Sequence, residues 1–310
     1  MYLTNQTMLT YFIIKGISEA SSLQVPIFLL VLLIYLVILG GNATILTLVC
    51  LNTQLQTPMY FFLCNLSILD ISSSTVTLHK ILFSFLSGDN TVSVKACMAQ
   101  MFIFTSLVCN ELLILTAMSY DRYVAVCNPL RYSTVMSRRV CGILSGICWV
   151  LGFLESLPHV ILISRFTCYK SKEINHFFCD IVPLIKLSCS DSSLSDFLIF
   201  ICGLFLATFP FILTFIPYVF IIHTIQNIRS QIGKRKAFYT CSSHLTVVIL
   251  LYVTLVCQYL RPASMNTIES NKVFSLFNTA AVPLLNPLIY SLKNKDVKSA
   301  LKHCWFWTTK

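Results

Sequence analysis

The stretch "MSYDRYVAVC", Met118–Cys127, sets an acid, an arginine and a tyrosine at the end of an apolar run. Ionised groups are costly in hydrocarbon, so the triplet belongs at a membrane boundary if the run before it spans a bilayer. That run, Met98–Tyr120, has the ~20 residues a helix needs to cross. Six others match it: Val25–Leu51, Pro58–His79, Val140–Ser164, Phe197–Ile228, Ala237–Leu260 and Val273–Leu292. Four of the seven contain no Asp, Glu, Lys or Arg, and the other three carry one acid each, Asp70, Glu111 and Glu155. Only 11% of the 310 residues are charged and 56% are hydrophobic, whereas soluble domains are about a quarter charged. The expected fold is an all-α membrane protein, a seven-helix transmembrane bundle, because an isolated span must satisfy its own backbone groups. Barrel strands would be shorter and would alternate.

Loop charge gives an orientation. One side holds Arg122, Arg131, Arg138, Arg139, Arg229, Lys234, Arg235, Lys236 and the tail lysines Lys293, Lys295, Lys298, Lys302 and Lys310. Those 13 cations face two acids, Asp121 and Asp296, while the other side has nine cations against seven acids. The first side should be cytoplasmic and the N-terminus outside. The net charge of +10 then reflects topology and contact with anionic membrane lipid, not a nucleic-acid surface. Residues 1–24 form the expected extracellular N-terminus, 25–292 the bundle and 293–310 the cytoplasmic tail of a single domain. No cleavable leader is read in Met1–Gln24, which lacks an apolar core followed by small residues.

"NQT" at Asn5 is a glycosylation acceptor on the expected outer face. "NAT" at Asn42 and "NLS" at Asn65 match too, but lie within spans. Cys97, Cys168, Cys179 and Cys189 share the expected outer side, where an oxidising compartment favours two disulfides. Sequence alone leaves three pairings open. After Tyr290, Val297, Leu301 and Cys304 recur at helical spacing among lysines, which suggests a short amphipathic helix on the inner leaflet. Cys304 is a possible acylation site. The histidines are scattered over different elements, so no transition-metal site is expected, and no nucleophile–base pair points to an enzyme.

Asp121-Arg122-Tyr123 ending the third span, with "NPLIY" (Asn286–Tyr290) ending the seventh, resembles the rhodopsin-like G-protein-coupled receptors. Further motifs narrow the resemblance to vertebrate odorant receptors: "GN" at Gly41-Asn42, "PMYFFLCNLSILD" at Pro58–Asp70, "MSYDRYVAVCNPLRY" at Met118–Tyr132, "NHFFCD" at Asn175–Asp180, "KAFYTCSSHLTVV" at Lys236–Val248 and "PLLNPLIYSLKNKDV" at Pro283–Val297. Ser119, Tyr239 and Cys64 depart from the usual pattern, and the loop between Cys168 and Cys179 is one residue longer than is common. No motif is lost.

The resemblance implies that Cys97 pairs with Cys179, and Cys168 with Cys189. It implies a G-protein switch of Asp121, Arg122, Tyr123, Tyr218, Asn286, Pro287 and Tyr290. Asn42, Asp70, Glu111 and Asn286 form the implied buried polar set. Receptors of this class hold a sodium ion beside the acid at the Asp70 position, and two nearby carboxylates repel unless a cation or shared proton intervenes. The implied ligand wall is Phe104, Thr105, Val108 and Cys109 on the third span, Cys202 and Leu206 on the fifth, Tyr252, Leu255, Val256 and Tyr259 on the sixth, and Thr279 on the seventh. Such a lining suits a small, mostly hydrophobic molecule with one or two polar atoms. The expected function is an odorant receptor of the plasma membrane, in olfactory cilia by resemblance. It would activate a heterotrimeric G protein of the stimulatory, olfactory type and raise cyclic AMP. The rival readings are a non-chemosensory receptor of the same class and a transporter or channel; the latter would more naturally show repeated halves.

Overall fold

The structure is a computed structural model that describes residues 9–166, 168–189, 193–259, 267–293 and 297–300. Among the described residues, six long helices and one composite helix are long and apolar enough to span a membrane. They are α1 (Ser21–Leu51), α2 (Pro58–Ser87), α3 (Val94–Cys127), α5 (Arg138–Ser164), α7 (Ser193–Asn227) and α8 (Gln231–Tyr259), with the seventh span built from α9 (Ile268–Leu276), a π-helical turn (Phe277–Ala281) and α10 (Val282–Lys293). Among the described residues, two short α-helices lie in connections, α4 (Tyr132–Val135) and α6 (Ile181–Leu187). Residues 297–300 are helical; the rest of the expected amphipathic helix, with Cys304, lies outside the described residues.

Several helices outrun their apolar cores because the ends are capped. α2 begins with Pro58, whose missing N–H would be unpaired in the first turn anyway. It continues past His79 to a left-handed Gly88 at φ 70°, the position a glycine terminates without steric cost. Ser93 caps α3 by accepting from Ala96 N at 3.2 Å.

The third helix is the axis of the bundle. Its most apolar window is 72% buried, against 11% for α1, and it packs on α2, α5, α7 and α8. α1 instead exposes Leu29, Leu30, Leu33 and Leu36, a surface the bilayer would cover. The rim explains why 56% hydrophobic residues coexist with a modest interior.

One feature departs from the all-α expectation. A three-stranded sheet caps one end of the bundle, with β1 (Tyr11–Ile14) between antiparallel β2 (Thr91–Ser93) and parallel β3 (Glu173–Ile174). Alternation sends Phe12 and Ile14 inward, where both are buried beside Cys97, Ile163 and Cys179. The strands are too short to signal themselves by periodicity. We call this the capped end, and the end carrying Asp121-Arg122-Tyr123 the far end.

Candidate functional site

At the far end, Asp121 and Arg122 are both buried and hydrogen-bonded to each other. Asp121 also accepts from the Tyr132 hydroxyl at 2.8 Å. The acid thus has two donors, and the arginine, which cannot shed its proton, has its charge compensated. Tyr123 is half-buried and packs edge-on against Phe220 of α7. Across the bundle, the Tyr218 hydroxyl on α7 pairs with Nδ1 of His244 on α8. Both are buried, and His244 lies near enough to Arg122 to feel its charge. His244 was not among the residues singled out from sequence; a histidine on an otherwise apolar helix gives little positional signal. The Tyr290 hydroxyl is buried without a hydrogen-bond partner among the described residues.

The middle of the bundle explains "GN" and "NPLIY" together. Pro287 has no N–H, so the Pro283 carbonyl one turn earlier loses its helical donor. Asn42 Nδ2 donates to that carbonyl at 3.2 Å. A Cβ on the neighbouring Gly41 would sit 3.2 Å from Pro287 Cγ, so glycine permits the close crossing that brings Asn42 within reach. Asn286 Nδ2 donates to both carboxylate oxygens of Asp70 at 3.0 Å. Glu111 is buried close enough to Asp70 for the two carboxyls to interact, and its Oε1 has no partner among the described residues. Asn42, Asp70, Glu111 and Asn286 are thus all buried at the heart of the bundle, with Asp70, Glu111 and Asn286 in one cluster. Asn65 is also occupied: its Oδ1 accepts from Ser145 at 2.8 Å and Trp149 Nε1 at 3.0 Å, joining α2 to α5.

Towards the capped end, Phe104 packs edge-on against Phe178 at 4.9 Å, and Phe177 completes a buried aromatic cluster. Val108, Leu206, Tyr252, Leu255 and Tyr259 belong to the main core, with Cys109 buried beside them and Cys202 half-buried. Tyr252 stands edge-on to Phe211 at 5.3 Å. Thr105 Oγ1 is a buried hydroxyl with no partner among the described residues. The Thr279 hydroxyl is spent on its own helix, donating to Ser275 O at 2.8 Å. Val256 departs from the expected wall. It is 46% exposed and lies on one stripe with Ile249 and Val253, at 45% and 54%, so the period of α8 turns it out of the bundle. Glu155, left unassigned by sequence, lies near Cys109 with Oε2 unpartnered among the described residues.

Cys97 is bonded to Cys179, and Cys168 to Cys189. The residue after Cys179 starts a polar network that the sequence reading missed. Asp180 is fully buried and accepts from Ile181 N at 2.8 Å, Gln258 Nε2 at 2.9 Å and the Tyr259 hydroxyl at 3.1 Å. Gln258 also donates to Ser275 at 2.9 Å and accepts from Asn278, which in turn accepts from Thr254. Burial pushes the Asp180 carboxyl above the ordinary range, with its three donors pulling against that rise. Polar residues such as Gln258 and Asn278 inside apolar spans were the available signal. Among the described residues, no group of three or more His, Cys, Asp or Glu is placed to hold a metal ion.

The sequence profile of the family described as "Olfactory receptor" matches residues 31–307. The chain belongs to the olfactory receptor family. It is 43% identical over 302 residues to human "Olfactory receptor 8D1", covering 97% of this chain and 98% of that protein. It is 44% identical over 299 residues to mouse "Olfactory receptor 5AR1", covering 96% of each. The crystal structure of squid rhodopsin superposes with a TM-score of 0.69 over 93% of this chain and 87% of that one, at 18% identity, a likeness of fold. The olfactory receptor is therefore a multi-pass plasma-membrane signalling protein of the G-protein-coupled class, not an enzyme.

Proposed function

We propose that this receptor binds a small, mostly hydrophobic odorant in the half of the bundle nearest the sheet, and that binding opens the far end to a heterotrimeric G protein of the stimulatory, olfactory type, raising cyclic AMP. The capped end and the N-terminus face outward, and the basic far end faces the cytoplasm. Asn5, the proposed glycosylation site, lies outside the described residues.

The observation that carries this reading is the division of labour along α3. Phe104, Thr105, Val108 and Cys109 form a mainly apolar face with one unspent hydroxyl. Thirteen residues after Cys109, about 20 Å along the helix, Arg122 is held by Asp121. One rigid element thus joins a wall suited to a small molecule to a compensated charge. A ligand that prefers the state with the far end separated shifts the population by that preference alone. In that state Arg122 exchanges Asp121 for the G protein, and Tyr218 and Tyr290 turn towards it. Tyr123, Asn286 and Pro287 support the rearrangement.

Asp70, Glu111 and Asn286 fit a monovalent cation, because two carboxyls share a buried site and one carboxyl oxygen there lacks a donor. These residues would hold a sodium ion, and the ion would supply the positive charge that lets both acids stay ionised.

The test is an odorant screen in cells with a cyclic AMP readout, repeated with Arg122→Ala at matched surface level. Odorant-evoked cyclic AMP that disappears in the variant supports the proposal. A response that survives the substitution unchanged removes Arg122 from the coupling step.

A further inference from the structure

Among the described residues, a cavity of about 260 Å³ lies at the capped end between the N-terminal segment, α1 and α2. It shares no lining residue with the ligand wall on α3, α7 and α8, although its Ile17, Ile81 and Phe177 pack in one cluster with Phe104 and Val108, and no motif read from the sequence points to it. One side is apolar: Ile17, Ile81 and the stacked pair Phe28 and Phe85, 4.4 Å apart. The other side presents Lys15, Lys80, Gln24 and Ser84.

The two lysines differ in what is left of their charge. Lys15 Nζ lies 3.3 Å from Glu19 and 3.1 Å from Glu173, so its charge is already answered. Lys80 Nζ donates to the backbone carbonyls of Thr91 at 2.8 Å and Asp89 at 3.3 Å. It has no ion-pair partner among the described residues. The Asp89 carboxylate is used within its own turn, accepting from Thr91 N at 2.8 Å and Thr91 Oγ1 at 2.7 Å. An ammonium has three donors; two carbonyls position this one and leave a third N–H, while Nζ also lies 5.5 Å from the centre of the Phe83 ring and near enough to Asp89 for the two charges to interact. Ser84 Oγ, on the same wall, lacks a partner among the described residues.

A fixed cation with no direct ion pair among the described residues, beside an apolar aromatic wall, is complementary to an amphiphile. The volume is just under the ~300 Å³ at which drug-sized pockets begin, enough for a head group and a short chain. We propose that this cavity binds an anionic head group on an acyl chain, the head on Lys80 and the chain along Phe28 and Phe85. The same chemistry is carried by a free medium-chain carboxylic acid and by an anionic lipid of the adjoining leaflet. This site goes beyond odorant recognition at α3 and does not depend on it.

The test uses the full-length receptor in phosphatidylcholine nanodiscs, with octanoate as the probe and saturation-transfer NMR as the readout of binding. Octanoate should bind, octanol about ten-fold more weakly. Lys80→Gln should weaken octanoate about ten-fold, Lys80→Arg should keep it, and Lys15→Gln should change it less than about two-fold. Nanodiscs containing phosphatidylglycerol separate the sources: loss of octanoate binding there identifies the leaflet lipid as occupant, and unchanged binding identifies the free acid. Equal binding of octanoate and octanol, or octanoate binding untouched by Lys80→Gln in a receptor whose melting temperature is also unchanged, overturns the proposal. Should Lys80→Gln fail to fold, the octanol comparison and Lys80→Arg still decide it, since loss of binding in the arginine variant with retained folding also overturns the site.

Discussion

Gln258 Nε2 donates to Asp180 Oδ2 at 2.9 Å, so the residue after the disulfide cysteine of the connecting loop is bonded directly to the sixth span. Tyr259 reinforces the contact on the other carboxylate oxygen. Loop and helix therefore move together unless this network breaks.

Asp180→Ala would leave the donors of Ile181, Gln258 and Tyr259 without their acceptor inside a buried site. Each stranded donor costs on the order of 1–3 kcal/mol, whereas losing one neutral hydrogen bond costs about 1. Asp180→Ala should therefore lower the melting temperature of the purified receptor by several degrees more than Tyr259→Phe does. Equal melting temperatures would show that the carboxylate does not hold the loop to α8.

The Tyr132 hydroxyl donates to Oδ1 of Asp121 while Arg122 donates to Oδ2. Tyr132→Phe removes one donor to a buried carboxylate, worth about 1.5–3 kcal/mol, and weakens the closed far end without touching Arg122. That energy corresponds to ten-fold or more in a two-state ratio. Basal cyclic AMP at matched surface expression should rise several-fold. If it does not move, Tyr132 does not stabilise the resting state.

What sequence could convey depended on the length scale of each signal. Seven runs of about twenty apolar residues announce themselves, and acids such as Asp70 and Glu111 stand out because nothing else in their spans is charged. The sheet was hidden: β1 has four residues and β3 two, and their partners lie about 80 and 160 positions away. Val256 was misread because the sixth span is apolar around its circumference, so its period does not reveal which face turns outward. Asp180, Gln258 and Asn278 acquire meaning only once the loop is folded back against α8.

Gly152 is a point where α5 meets α3 with no room to spare. A Cβ there would lie 2.5 Å from both Cγ and Nδ2 of Asn110, whose amide is already committed to Ser106 O at 2.8 Å. Gly152→Ala should overpack the contact and cost about 1–3 kcal/mol, seen as reduced surface delivery and a lower melting temperature. Asn110→Ala in the same chain should restore part of the loss by making space. An alanine at 152 that is neutral on its own would mean that the two helices can separate freely.

His176 gives the pH dependence a definite sign. Its ring is buried against Phe177, with centroids 4.7 Å apart, and Nδ1 faces Phe178 N at 3.5 Å. Burial and the nearby Lys272 push it down to about 3, while an unfolded histidine titrates near 6.5. Between those values the unfolded chain binds a proton that the folded receptor refuses, so stability falls as pH falls through this window. From pH 7.5 to 5.5 the histidine alone should remove about 1.4 kcal/mol. The raised Asp180 carboxyl works in the opposite direction, so the comparison must be with His176→Gln in the same background. That variant should lose stability at neutral pH through its ring contacts, yet its melting temperature should fall less than the wild type's between pH 7.5 and 5.5. Parallel curves for the two proteins would mean that His176 takes up its proton in the folded state as readily as in the unfolded one.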